Sequence, residues 1–169
     1  MPELEPPDTH HYSSAAGWLE LGSPDDAFCE LKKISPQARL TKAVLNLEWS
    51  ILAALKDWDA SLTPARSLVE RWPEHPAGWI HLAYTQRRMA SGGLEAAWET
   101  LAPAAEKFPE EPIIAYNLAC YATQFGRIDE AWSWLQKAVR ISGDPRDIKP
   151  MALADPDLEP LWPKIQASL

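Results

Sequence analysis

At 169 residues the chain is long enough for one domain with a real core, and an apolar content of 46% excludes wholesale disorder. Its 24 acidic and 16 basic residues leave a net charge of −8, which argues against a nucleic-acid partner, because such partners are met by basic surfaces. No stretch approaches the ~20 apolar residues of a membrane span, and the start, MPELEPPDTH, lacks the basic and apolar regions of a secretory signal. Two cysteines, Cys29 and Cys120, are too few for a disulfide framework, so a cytoplasmic protein without a membrane partner is expected.

The acidity is concentrated at the start. Residues 1–30 hold seven acids and no Lys or Arg, and the rest of the chain is nearly neutral. Residues 1–9, with Pro2, Pro6 and Pro7, read as an extended, flexible acidic leader. Beyond it the prolines become periodic: Pro36, Pro73, Pro109 and Pro145 stand 37, 36 and 36 residues apart. Trp72-Pro73-Glu74-His75-Pro76 is echoed by Phe108-Pro109-Glu110-Glu111-Pro112, and Leu82-Ala83 by Leu118-Ala119. A period of this length indicates stacked structural repeats. The repeat domain spans 10–142, in units of about 10–35, 37–72, 76–108 and 112–142, and a shorter segment, 143–169, follows.

The first unit carries Trp18, Gly22, Ala27, Leu31 and Ile34; the second keeps Val44, Leu47, Ile51 and Trp58. The third has Trp79, Leu82, Ala83, Ala97, Leu101 and Ala104. In the fourth the pattern is cleanest. Ala115, Leu118, Ala119 and Ala122 share one helical face, Gly126 breaks the helix, and Asp129-Glu130 open a second whose face carries Ala131, Leu135, Ala138 and Val139. Small residues at Ala119 and Ala131 let the two helices approach closely, so the unit is a helical hairpin. Pro64 and Pro103 fall inside expected second helices. A start near Thr63 or a kink is expected at the first, and a kink or stop near Ala102 at the second.

These residues resemble the tetratricopeptide repeat (TPR) family. Tyr116-Asn117-Leu118-Ala119, Gly126, Ile128-Asp129-Glu130-Ala131, Leu135 and Ala138 follow its pattern nearly position for position. The third unit departs from it by a turn longer by about two residues at Ser91-Gly92-Gly93. The second has Glu48 where a small residue belongs, which leaves its register open. The resemblance implies an all-α fold: a right-handed α-solenoid of about four TPR-like hairpins. A C-terminal capping segment is expected to shield the last apolar face, with Trp132 and Trp134 as its targets.

Chemistry for catalysis is not visible. There is no HExxH, no GxGxxG and no GxxxxGK[ST], and the cysteines are not spaced as zinc ligands. His10-His11 beside Asp8 are read as solvated side chains, and both cysteines, Cys29 and Cys120, as small buried hydrophobes in helices. No enzyme activity, cofactor or metal is therefore expected.

Nine tryptophans suit both repeat cores and interaction surfaces. Most, including Trp18, Trp58, Trp72 and Trp79, fall near repeat-defining positions; Trp49 is assigned to a groove. On the first helices of the units, the face turned away from hairpin packing holds Tyr84, Arg87 and Arg88 in the third unit. In the fourth it holds Tyr116, Cys120, Thr123 and Gln124. An aromatic beside two guanidinium groups suits an acidic peptide or a carboxylate; a merely solvated basic face accounts for Arg87 and Arg88 equally. The family resemblance implies that this concave face binds a peptide or protein, although the Lys and Asn set with which some members bind carboxylates is not reproduced. The expected function is a non-enzymatic adaptor or scaffold. The alternative is a dedicated chaperone for a secreted client. Oligomeric state is not legible, and the acidic leader is a possible occupant of the groove.

Overall fold

The computed structural model describes residues 4–168. These form ten α-helices joined by short turns: α1 (Asp8–Glu20), α2 (Pro24–Leu31), α3 (Lys42–Ala54), α4 (Trp58–Arg71), α5 (Pro76–Arg88), α6 (Leu94–Lys107), α7 (Pro112–Gln124), α8 (Ile128–Ser142), α9 (Pro145–Ala154) and α10 (Trp162–Ser168). Short 3-10 turns occupy Ala38–Leu40 and Pro156–Leu161. Helix accounts for 78% of the described residues, which contain no strand, as an all-helical repeat requires.

Three of the helix pairs are joined by one repeated turn. After α1, α3 and α7 the chain passes through a left-handed residue, Gly22 (φ 76°), Lys56 (φ 58°) and Gly126 (φ 75°). In each case the next residue's amide donates to the carbonyl five residues back: Ser23 to Trp18, Asp57 to Leu52, Arg127 to Ala122, all at 2.9 Å. This is the hydrogen-bond closure that ends a helix and reverses the chain within two residues. Glycine adopts the conformation without a Cβ penalty, so Lys56 is the costly member of the set.

The chain divides into two compact units, Met1–Gly93 and Leu94–Leu169. In the first unit α1 packs on α2, α2 on α3, α3 on α4 and α4 on α5. Ala15, Ala27, Leu31, Ile34, Val44, Leu47 and Ile51 form one buried cluster, with Leu4, Tyr12 and Phe28 packed against it. Farther along, Gly78 on α5 sits so close to α4 that a Cβ there would lie 3.0 Å from Leu68 Cβ and 3.0 Å from the Val69 amide nitrogen. In the second unit α6 packs on α7 and α7 on α8; α9 packs on α8, the 3-10 turn on α7 and α8, and α10 on α9 and that turn. Leu158, Leu161 and Ile165 are buried there, so the C-terminal segment caps the last hairpin. Of its expected targets, Trp132 is reached, with Lys164 4.6 Å from its ring centre, whereas Trp134 lies under Lys137 of its own helix. No helix among the described residues is long and apolar enough to cross a membrane.

Several sequence expectations are corrected. The leader does not run extended through residue 9: α1 begins at Asp8, whose carboxylate accepts from the Ser35 amide at 2.8 Å and the Ser35 hydroxyl at 2.6 Å. The Thr9 hydroxyl donates to the Leu4 carbonyl. Residues 1–3 of the expected leader lie outside the described residues. His11, read as solvated, meets Glu30 at 3.1 Å. Trp18, assigned to packing, is 41% exposed, and Cys29, read as buried, is exposed on α2, whose buried face holds Ala27 and Leu31. Neither proline moves its helix end. α4 starts at Trp58 because Asp57 caps it, accepting from the Ala60 amide at 3.1 Å, and α6 runs through Pro103 to Lys107.

The two prolines differ in what surrounds them. Pro64 is buried with Ser61, Ala65 and Leu68, so its ring adds to the core while its missing amide costs a hydrogen bond. Pro103 is exposed and has no such compensation. An interior proline costs about 3 kcal/mol, of which up to ~1 is offset by its stiffening of the unfolded chain. Pro103→Ala is therefore expected to stabilise the protein by about 2 kcal/mol, read as a raised denaturation midpoint; an unchanged or lowered midpoint would refute it.

Candidate functional site

The richest side-chain cluster of the first unit lies where α3 faces α5. On α3, Lys42, Asn46 and Trp49 recur at helical spacing; on α5, His81, Tyr84, Thr85 and Arg88 do the same. Trp49 stacks on His81, with ring centres 3.7 Å apart and planes at 9°. It meets Tyr84 edge-on at 5.8 Å, and Tyr84 in turn lies 5.8 Å from Trp58 of α4. Arg88 lies over Tyr84, its guanidinium carbon 3.5 Å from the ring centre, and 5.4 Å from that of Trp58.

Hydrogen bonds set these rings. Trp49 Nε1 donates to Thr85 Oγ1 at 2.9 Å, and Thr85 Oγ1 also pairs with Ser61 Oγ at 3.0 Å. Thr85 and Ser61 are fully buried, so this pairing removes the penalty of burying their hydroxyls. His81 Nε2 lies 3.1 Å from Asn46 Oδ1. The Asn46 amide nitrogen is already donating to the Lys42 carbonyl at 2.7 Å, so its oxygen is the acceptor and Nε2 carries the imidazole proton. His81 Nδ1 is buried without a hydrogen-bond partner. Burial pushes the His81 pKa down to about 4, because a buried imidazolium loses its hydration.

Of the expected site residues in this unit, the structure brings Trp49, Tyr84 and Arg88 together. Arg87 is half-buried on the last turn of α5. Arg88 contacts rings and, at 3.5 Å, the Tyr84 carbonyl, and meets no carboxylate among the described residues. The leader's Asp8 is held by Ser35. His81, Asn46 and Thr85 were missed in the sequence. Their only signal was the 35- and 36-residue spacing from α3 to α5, which equals the repeat period.

In the second unit the expected binding face of α7 is covered by the chain itself. Tyr116, Cys120 and Thr123 are buried. The Tyr116 hydroxyl donates to Asp155 Oδ2 at 2.9 Å, the Cys120 thiol lies 3.5 Å from the same oxygen, and Gln124 Nε2 donates to the Asp157 carbonyl at 3.3 Å. Thr123 bonds back to the Ala119 carbonyl at 2.9 Å. Burial first, then the neighbouring Cys120 and Asp155, raises the Tyr116 pKa, so the phenol remains a donor. Cys120, Asp155 and Asp157 do bring possible ligand atoms within 4.8 Å of one another. Asp155, however, is already accepting through Oδ2 from Tyr116 and through Oδ1 from the Asp157 amide at 2.9 Å. That donor set is a latch for the capping segment.

No protein-family model matches the chain, and no curated protein does. Among solved structures it is similar to a thermophilic TPR protein of Thermus thermophilus, with 16% sequence identity and a TM-score of 0.72 over 95% of this chain and 99% of that one. A likeness of that extent at that identity establishes architecture, and the architecture agrees with the hairpins, turns and cap described above: the chain has the tetratricopeptide-repeat fold.

Proposed function

We propose that the chain is a non-catalytic protein-interaction module, an adaptor or scaffold of the cytoplasm, that binds an acidic peptide or protein segment along the α3–α5 face of its first unit. The fold is one that serves protein–protein interaction. The observation that carries the acidic preference is Arg88: a half-buried guanidinium, positioned by Tyr84 and Trp58, that meets no carboxylate of the described chain. A cation held against aromatic faces is already partly desolvated and oriented, so an incoming carboxylate gains a charge-assisted bond at reduced ordering cost. Trp49, Tyr84 and His81 supply flat apolar surface beside it, which suits side chains flanking the acid.

Trp49 and Trp58 report directly on this face, so tryptophan fluorescence is the measurement. Terminally blocked acidic peptides should alter the emission at low salt, and Arg88→Ala should weaken their binding roughly five- to tenfold, an effect that shrinks at high salt. Equal binding by wild type and Arg88→Ala, with circular dichroism unchanged, would remove the acidic-segment reading.

A further inference from the structure

Next to the α3–α5 face the first unit has a cavity of about 720 Å³ that is open to solvent on one side. Leu4, Tyr12, Leu40 and Trp72 give it apolar walls, Lys42 and Arg71 give it charge, and no carboxylate lines it among the described residues. Its size is that of a ligand pocket. Leu40 stands 52% exposed on the rim. Neither cation is seen against a carboxylate among the described residues. Lys42 Nζ is 3.0 Å from His75 Nε2, and Arg71 lies 5.1 Å over the ring of Trp72.

We propose that this cavity is an anchor pocket that takes one large apolar side chain of an acidic segment, whose adjacent carboxylates meet Lys42 and Arg71. The inference rests on the interaction reading of the α3–α5 face and adds the specificity to it. Two observations tie the pocket to that face. Asn46 lines the cavity and is also the hydrogen-bond partner of His81, so one residue borders both the cavity and the ring cluster. Lys42 and Trp49 lie two turns apart on α3, ~10 Å, which about three residues of extended chain span. One short segment therefore reaches both. The second unit shows the same chemistry satisfied by the chain itself: Asp155 bonds to Tyr116 on α7 while Leu158, three residues on, is fully buried.

The test uses the full chain and a terminally blocked, symmetric peptide, Asp-Asp-Ser-Phe-Ser-Asp-Asp, against versions with Ser in place of Phe and with Lys in place of every Asp. The symmetry removes any dependence on binding direction, and the blocked ends leave only side-chain carboxylates. Expected is roughly tenfold or tighter binding of the Phe peptide over the Ser peptide, with no binding of the Lys version. Leu40→Asp, at an exposed position, and Ala43→Phe, which fills the cavity from its rim, should each abolish the preference for Phe while leaving weak acidic binding. If the Phe and Ser peptides bind equally and both depend on Arg88, the pocket proposal is overturned and the interaction face stands. If neither peptide binds the wild-type chain, both are overturned.

Discussion

Leu158→Ala should cost about 2–5 kcal/mol, the range for emptying a well-packed leucine site whose surroundings relax only partly. Leu158 is fully buried in the Pro156–Leu161 turn, next to Leu161 and the Asp155 latch on α7. Its loss weakens the capping segment where it covers Tyr116 and Cys120. Two readouts follow. The denaturation midpoint falls, and Cys120, now buried beneath Asp155, becomes reactive towards a thiol reagent that in the wild type modifies only the exposed Cys29. An unchanged midpoint with Cys120 still protected would show that the cap does not depend on this anchor.

Acidification should reveal His81. Its folded pKa of about 4 lies below the ordinary 6.5, so the unfolded chain takes up a proton that the folded chain refuses. The stability that His81 permits is complete above about pH 6.5 and is lost as the pH falls towards 4. Linkage gives a loss of about 2 kcal/mol between pH 7.5 and pH 5. The groups facing the ring make protonation no easier: Trp49 covers one face, Asn46 already accepts from Nε2, and no carboxylate among the described residues pairs with the imidazole. The carboxylates with lowered pKa, Asp8, Glu30 and Asp144, are held down by hydrogen bonds from Ser35, from Lys33 and His11, and from Arg146, respectively. Their contribution is lost only as the pH falls below their ordinary values near 4, beneath the His81 window. His81→Phe keeps a ring against Trp49 and removes the titration, so its stability should be nearly flat over the same interval. Parallel pH profiles for wild type and variant would refute the assignment.

The hairpins were legible in the sequence because they depend on local features repeated at one interval. Proline periodicity, small residues at Ala119 and Ala131, and breakers at Gly22 and Gly126 act within a few residues of where they stand. Even Glu48, which obscured the second unit, is accommodated locally, by Arg39 at 3.3 Å. The prolines misled because a helix boundary is set by competition: the Asp57 cap and the burial of Pro64 outweigh one missing hydrogen bond. The binding face was half visible. Tyr84 and Arg88 share a helix, so their spacing alone predicts that they meet. Which residues on α3 come opposite them depends on how α3 docks on α5, so His81 and Asn46 emerged only in the folded unit. The face of α7 was misjudged for the same reason. Nothing within α7 says that Asp155, more than thirty residues later, returns to take the Tyr116 hydroxyl. Local chemistry determined the elements, and long-range docking decided which of their faces stay open and which the chain closes for itself.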